Sequence, residues 1–311
     1  MTRTVAALDC GSNSTRLFIA DSAGVARTRR THITRLSAGV DEHATLRDDA
    51  MERTFAVLRE YRRAMDAEEV DQGLLVATSA VRDARNGQDF LARAGEIVGV
   101  EARILSGNEE ATFSYDGATA DLVPSERPTM IVDIGGGSTE LAVMIDGELR
   151  SFSMQLGCVR VTERALGAGV VTPARRAAAE LMIQRELERA FASEPRFGDV
   201  VGAVRLVGLA GTVATLVALE RAVATYDRAA LHHQTLTRRQ VEHWRDRLSA
   251  ETPEVRLAHS GMTEGREDVL AAGLFVLSAV MERFGVDDVL SSESDILDGM
   301  AASMLTLSSP G

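Results

Sequence analysis

Leu8-Asp9-Cys10-Gly11-Ser12-Asn13-Ser14-Thr15 returns, with the acid, the first glycine, the serine and the threonine in step, as Val132-Asp133-Ile134-Gly135-Gly136-Gly137-Ser138-Thr139. In each copy an apolar run enters, a second run leaves (Leu17 to Ala20, Leu141 to Ile145) and a turn follows at Ala23-Gly24 or Asp146-Gly147. Each copy therefore predicts a β-hairpin whose tip is a Gly/Ser-rich loop with an acid at its base. Two such loops facing one another across a cleft would gather backbone N–H groups and two carboxylates, the arrangement that suits a polyanion held with a divalent cation. One Asp before a glycine turn needs no more than a turn-stabilising role. Its duplication is what points to phosphate.

The rest of the chain is read outward from the repeat. At 311 residues and 45% hydrophobic content, it exceeds one ordinary core and predicts two domains. The offset puts their seam at Pro124-Ser125-Glu126-Arg127-Pro128, which holds two of only six prolines, so the expected domains are 1–124 and 125–311. After the first hairpin, Met51, Phe55, Leu58 and Met65 recur at helical spacing, Gly73 to Thr78 forms a buried strand, and helix Gln88 to Val98 and strand Ala102 to Leu105 follow. A further helix opens at Ser106-Gly107-Asn108-Glu109-Glu110-Ala111, with Ser106 or Asn108 as its cap. The second half repeats the logic with helix Pro173 to Ala192, strand Ala203 to Val207 and helix Val213 to Glu220. Both halves are α/β.

Composition removes whole classes of function. Met1-Thr2-Arg3-Thr4 runs directly into a strand with no export signal. The longest apolar stretches, Val269 to Met281 and Leu206 to Leu219, fall short of the roughly 20 residues of a membrane helix. A soluble, cytoplasmic protein without a membrane partner is expected. Cys10 and Cys158 have no zinc-ligand spacing and predict small buried residues. A net charge of −12 argues against nucleic acid. All 34 basic residues are arginine, so a Walker-type lysine loop and Schiff-base chemistry are excluded. The cluster Arg27, Arg29, Arg30 and Arg35 predicts either a solvated edge strand or local positive charge for an anion.

Asp9 and Asp133 stand where a strand gives way to a glycine loop, the position from which a carboxylate meets a phosphate-bound Mg²⁺. Glu140 lies on the outgoing strand of the second hairpin and can point back to the same cation. A third glycine turn, Val207-Gly208-Leu209-Ala210-Gly211-Thr212, opens a helix and offers another anion site. Of Glu109 and Glu110, about 100° apart around a helix, only one can face a cleft. The six histidines are scattered, and His232-His233 predicts a loop pair rather than a ligand set. A carboxylate is left as the general base.

With these segments in hand, the sequence resembles the exopolyphosphatase and guanosine pentaphosphate phosphohydrolase (Ppx/GppA) family, within the actin, sugar-kinase and Hsp70-like ATPase superfamily. The resemblance is carried by Asp9 to Ser14, Ala77-Thr78-Ser79-Ala80-Val81-Arg82, Ser106 to Ala111, Asp133 to Glu140 and Gly208 to Thr212. It implies two duplicated ribonuclease H-like (actin-like) domains with an interdomain cleft, and a final helix after Asp295 that crosses back to the first domain. It also implies Glu110 as catalytic base and Asp9, Asp133 and Glu140 as metal-associated acids. Gly11, Ser12, Asn13, Ser14, Arg82, Gly135, Gly136, Gly137, Ser138, Gly208, Gly211 and Thr212 would hold phosphoryl oxygens, and Arg266 and Asp268 fall on a recurrent Arg-x-Asp element. The implied reaction is Mg²⁺- or Mn²⁺-assisted hydrolysis of terminal phosphoanhydrides of inorganic polyphosphate, with a monovalent cation and a homodimer as further expectations. The rival substrate is guanosine pentaphosphate, and the rival class is an alarmone or nucleotide sensor without turnover. Two departures stand out: Leu209-Ala210 where small or glycine residues are usual, and Leu297-Asp298-Gly299 for Arg-Glu-Gly. Larger family members append further helical domains; if those grip long chains, the resemblance implies for this short form a preference for shorter polyphosphate or less processive hydrolysis.

Overall fold

In a computed structural model that describes residues 3–306, the chain divides into two compact units. One comprises the residues up to Gly117 and those from Asp295 onward; the other is Ala118–Ser294. Each is described separately.

The first unit opens with β1 (Val5–Cys10), β2 (Ser14–Ala20) and β3 (Ala26–Ile33). There follow α1 (Val40–His43), α2 (Asp48–Ala67), β4 (Gln72–Ala77), α3 (Ser79–Asp83), α4 (Gly87–Val98), β5 (Glu101–Ile104) and α5 (Gly107–Thr119). The sheet runs β3-β2-β1-β4-β5, with β1, β4 and β5 parallel and β2 and β3 antiparallel to their neighbours. β1 is buried along its whole length because both faces are covered. Ala6, Leu8 and Cys10 alternate onto one face with Phe55, Leu58 and Phe90, whereas Val5 and Ala7 turn to the other with Ile296, Met300 and Met304.

The second unit carries β6 (Thr129–Ile134), β7 (Thr139–Ile145), β8 (Glu148–Met154), α6 (Cys158–Val161), a π-turn at Thr162–Leu166 and α7 (Pro173–Ser193). After a 3₁₀ turn (Pro195–Val200) come β9 (Arg205–Leu209), α8 (Ala210–Glu220), α9 (Arg228–Leu231) and β10 (Thr235–Thr237). They are followed by α10 (Arg238–Ser249), α11 (Pro253–Leu257), α12 (Leu270–Arg283) and β11 (Asp288–Ser291). The last helix, α13 (Ile296–Thr306), belongs to the first unit and supplies the cover over Val5 and Ala7.

The second sheet, β10-β11-β9-β6-β7-β8, contains the order of the first, with β6, β9 and β11 parallel and the β6–β7–β8 meander antiparallel. The β7–β8 turn is the two-residue Asp146-Gly147, both at positive φ (52° and 79°), as a tight hairpin requires. In both sheets the loops that follow the parallel strands gather at one edge, where α/β sheets hold ligands.

The packing boundary differs from the proline-rich seam. Residues 118–124 belong to the second unit, because the Asp121 carboxylate accepts from His232 at 3.0 Å and the Val123 carbonyl from Arg205 at 2.6 Å. The arginine cluster lies on or just beyond the half-exposed edge strand β3. Arg29 folds over the Phe18 ring (4.4 Å) and pairs with Asp298 at 2.6 Å. Both cysteines are free and buried, and no helix among the described residues is long and apolar enough to cross a membrane.

Candidate active site

The two hairpin tips have the same backbone. Gly11 N–H donates to the Ser14 carbonyl at 3.0 Å, and Gly135 N–H to the Ser138 carbonyl at 3.0 Å. In each, the following segment takes up the loop carbonyls. Ser12 O accepts from Ser37 N–H (2.9 Å), and Asn13 O from Thr34 (3.0 Å) and Arg35 (2.9 Å). Gly135 O accepts from Cys158 N–H (2.9 Å), and Gly136 O from Val159 (2.9 Å) and Arg160 (3.1 Å). Every peptide among the described residues is trans, so each N–H points opposite to the carbonyl of the same peptide. The amides of Asn13, Ser14, Gly136 and Gly137 therefore point away from the residues that take up the carbonyls before them. The second loop and α6 approach so closely that a Cβ on Gly157 would lie 2.2 Å from the Gly136 carbonyl oxygen.

Beneath the tips the repeat diverges. Across the first three strands the register places Asp9 opposite Arg16 and Arg16 opposite Thr31; across the second it places Asp133 opposite Glu140 and Glu140 opposite Ser153. Arg16 donates to Asp9 Oδ2 through Nη2 (2.7 Å) and Nε (3.0 Å), and to Asp295 Oδ2 through Nη1 (2.5 Å). Burial nevertheless pushes the Asp9 carboxyl above its ordinary range, and its Oδ1 is buried with no hydrogen-bond partner. At Asp295 burial also opposes ionisation, but Arg16 and Arg29 together overcome it and hold the carboxyl below its ordinary range. Asp133 and Glu140, 8% and 1% exposed, are cross-strand neighbours instead, and Ser153 Oγ donates to Glu140 Oε1 at 2.7 Å. Two buried carboxylates side by side repel unless a cation or proton intervenes, and their oxygens suit a hard divalent ion.

The acidic pair at the start of α5 separates by function. Glu109 accepts from Ser106 N–H (2.9 Å) and Oγ (2.8 Å), while its own N–H donates to Ser106 Oγ (3.3 Å), which completes a capping box. The Ser106 amide, its hydroxyl and Arg103 lower the Glu109 carboxyl. Glu110 turns inward, 9% exposed, with Oε2 3.3 Å from Arg82 Nη1, which also donates to the Leu105 carbonyl at 2.7 Å. Arg82 on α3 follows β4 and Glu110 on α5 follows β5, so neighbouring parallel strands deliver the pair to one edge.

The third glycine turn is less uniform. Gly208 lies inside β9, where a Cβ would meet Val213 (2.8 Å) and Val289 (3.0 Å), so it serves packing. Ala210 holds φ at 63°, a left-handed conformation natural to glycine. At Gly211 a Cβ would lie 1.9 Å from the Arg266 guanidinium carbon, and Thr212 is buried against Gly273 of α12. Leu209 runs beside Asp133, so this turn flanks the second loop.

His232 and His233 stack at 3.7 Å beside Asp121. The Glu293 N–H donates to His232 Nδ1 at 3.0 Å, which leaves the ring proton on Nε2, facing Asp121. That proton stands where a metal would bind, so the trio is a hydrogen-bonded cluster.

Arg16 and Ser153 did not emerge from the sequence reading. The signal for Arg16 was available: it stands in the repeat where Glu140 stands in the second copy.

Two α/β units with a shared strand order, each with a Gly/Ser-rich hairpin tip, define a two-domain protein of the actin-like fold. The chain belongs to the Ppx/GppA phosphatase family, which matches residues 20–308. Exopolyphosphatase 2 of Mycobacterium tuberculosis is 37% identical to it over 316 residues, covering 96% of this chain and 98% of that one. Among solved structures, an exopolyphosphatase-like protein is similar with a TM-score of 0.91 at 31% identity, over 98% of this chain and 99% of that chain. The Aquifex aeolicus Ppx/GppA family member is similar with a TM-score of 0.81 at 29% identity, over 100% of both chains.

Proposed function

We propose that this protein is an exopolyphosphatase, a hydrolase that removes the terminal phosphoryl group of inorganic polyphosphate as orthophosphate. The observation that carries the reading is the division of labour at α5: Glu109 is consumed by the cap, and Glu110 is turned inward onto Arg82. Glu110 acts as general base toward the attacking water, and Arg82 fixes that carboxylate while presenting guanidinium N–H groups to phosphoryl oxygens. Within the same unit, the amides of Asn13 and Ser14 hold further phosphoryl oxygens.

The buried pair Asp133 and Glu140 fits Mg²⁺ or Mn²⁺ in donor chemistry and in charge. Bound there, the ion would neutralise charge on phosphoryl oxygens in the loose transition state of phosphoryl transfer. Within the first unit, Asp9 keeps one oxygen, Oδ1, outside the hydrogen bonds that Arg16 makes to Oδ2.

Phosphate release from long polyphosphate, short polyphosphate and guanosine pentaphosphate, measured with one preparation in Mg²⁺, tests the proposal. Release from polyphosphate should dominate. Preferential release from guanosine pentaphosphate would reassign the substrate, and ligand binding without release would make the protein a sensor. We also assign it to the cytoplasm as a homodimer, following the family resemblance, and light scattering reads the latter.

A further inference from the structure

The three-strand register under the second loop ends on a residue that the proposed mechanism does not use. Ser153 on β8 lies directly opposite Glu140, and its hydroxyl donates to Glu140 Oε1 at 2.7 Å. Glu140 is 1% exposed, so water has little access with which to orient its carboxylate; the strand neighbour does so instead. A glutamate has one more rotatable bond than the aspartate it faces. That last torsion is broad and weakly restrained, so a hydrogen bond to the carboxylate narrows it. The Ser153 hydroxyl restrains that torsion from the side of the strand opposite Asp133, since Glu140 lies between the two in the register.

We propose that Ser153 is a positioning residue: its hydroxyl orients Glu140 as a ligand for the divalent cation. The proposal rests on the assignment of that cation to Asp133 and Glu140. The chemistry is that of the hydrogen-bond partners that surround bound metals, whose removal weakens metal affinity about 10–100-fold. The repeat supplies a contrast within the chain. The corresponding position in the first meander is Thr31, opposite Arg16, and there the strand neighbour faces a guanidinium already bound to Asp9 and Asp295.

The experiment measures Mn²⁺ binding to the full-length protein directly, by calorimetry or by the loss of free-Mn²⁺ electron paramagnetic resonance signal. It compares wild type, Ser153→Ala, Ser153→Thr and Glu140→Gln, with phosphate release from polyphosphate titrated against metal in parallel. Ser153→Ala should weaken Mn²⁺ affinity about 10–100-fold and shift the metal requirement by the same factor, while kcat at saturating metal and the KM for polyphosphate stay near wild type. Ser153→Thr, which restores a hydroxyl on the same Cβ, should recover most of the affinity. Ser153→Ala with unchanged Mn²⁺ affinity, when Glu140→Gln abolishes binding, overturns the role of Ser153. Unchanged binding in Glu140→Gln overturns the cation assignment beneath it. Equal loss in Ser153→Ala and Ser153→Thr, together with a lowered melting temperature, would make the residue structural and refute the proposal.

Discussion

Arg16→Met isolates the feature that distinguishes the first phosphate loop from the second. Arg16 binds Asp9 and Asp295 at once, and the three side chains are only 17%, 6% and 10% exposed, so solvent screens the interaction little. Removing one partner from a buried ion pair costs about 3–5 kcal/mol, because the remaining charge is left without compensation. Asp295 keeps Arg29 at 3.8 Å, which places the expected loss near the lower end, about 3 kcal/mol. The loss should depend on pH with a defined sign. Burial already raises the Asp9 carboxyl in the presence of Arg16; without Arg16 it rises further, because the lowering contributions of that guanidinium are gone. A carboxyl raised on folding destabilises the fold above its folded pKa, and protonation relieves the penalty as pH falls. The gap between wild type and variant should thus be widest near pH 8 and narrow toward pH 5. Asp295 has the opposite sign: its lowered carboxyl stabilises the wild type above the ordinary aspartate range, and that contribution disappears as pH falls through the folded value. Urea denaturation followed by far-UV circular dichroism at the two pH values measures both effects. A loss below about 1 kcal/mol, or one of equal size at pH 8 and pH 5, would refute the reasoning that Arg16 is the counter-ion these buried acids require.

Glu110→Gln should lower kcat by about 10²–10⁴-fold with polyphosphate binding unchanged, and single-turnover assays beside equilibrium binding will check it. Gly157→Ala places a methyl 2.2 Å from the Gly136 carbonyl oxygen and 2.5 Å from Gly137 N, so the second loop must move. A displacement of about 1 Å there should cost on the order of 10²-fold in kcat/KM, and wild-type kinetics from the alanine variant would count against the loop amides. Ala210→Gly removes a left-handed strain of about 1–2 kcal/mol and adds about 0.5–1 kcal/mol of unfolded-chain entropy. Its net effect should be a gain of about 0.5–1 kcal/mol in urea denaturation, and a loss would show that the φ of 63° is not strained.

The hairpins were legible because continuous apolar runs declare the strands and the glycine clusters declare the tips. The helices were legible from their own period, as Met51, Phe55, Leu58 and Met65 repeat along α2. What did not emerge depends on partners distant in the chain. Arg16 could be assigned only with Asp295 in view, and Ser153 only with the β7–β8 register. Gly208 follows a strand pattern as readily as a loop pattern, and only Val289 on the neighbouring strand shows that its missing side chain serves packing. Glu109 was within reach, because Ser106-x-x-Glu109 is itself a capping-box sequence. It separates the two acids without appeal to any relative.

The divergence beneath the tips bears on why both copies of the loop persist with unlike bases. Backbone amides alone hold an anion weakly, since each contributes only a partial charge. Full charge must come from side chains or ions, and the two hairpins obtain it by different routes. In the first, Arg16 stands opposite Asp9 and a second acid, Asp295, completes a triad whose formal charge is −1. That triad is internally paired, so its geometry is set by the protein alone. In the second, Glu140 stands where the first has Arg16, so Asp133 faces a second acid across the strands. A duplicated element thus supplies one half with an arginine at its base and one half with an acid in the same place. Exchange of Arg16 for glutamate would make the halves alike in charge, and it would leave three buried carboxylates where the triad now stands, which is the energetic reason the first copy carries a cation of its own.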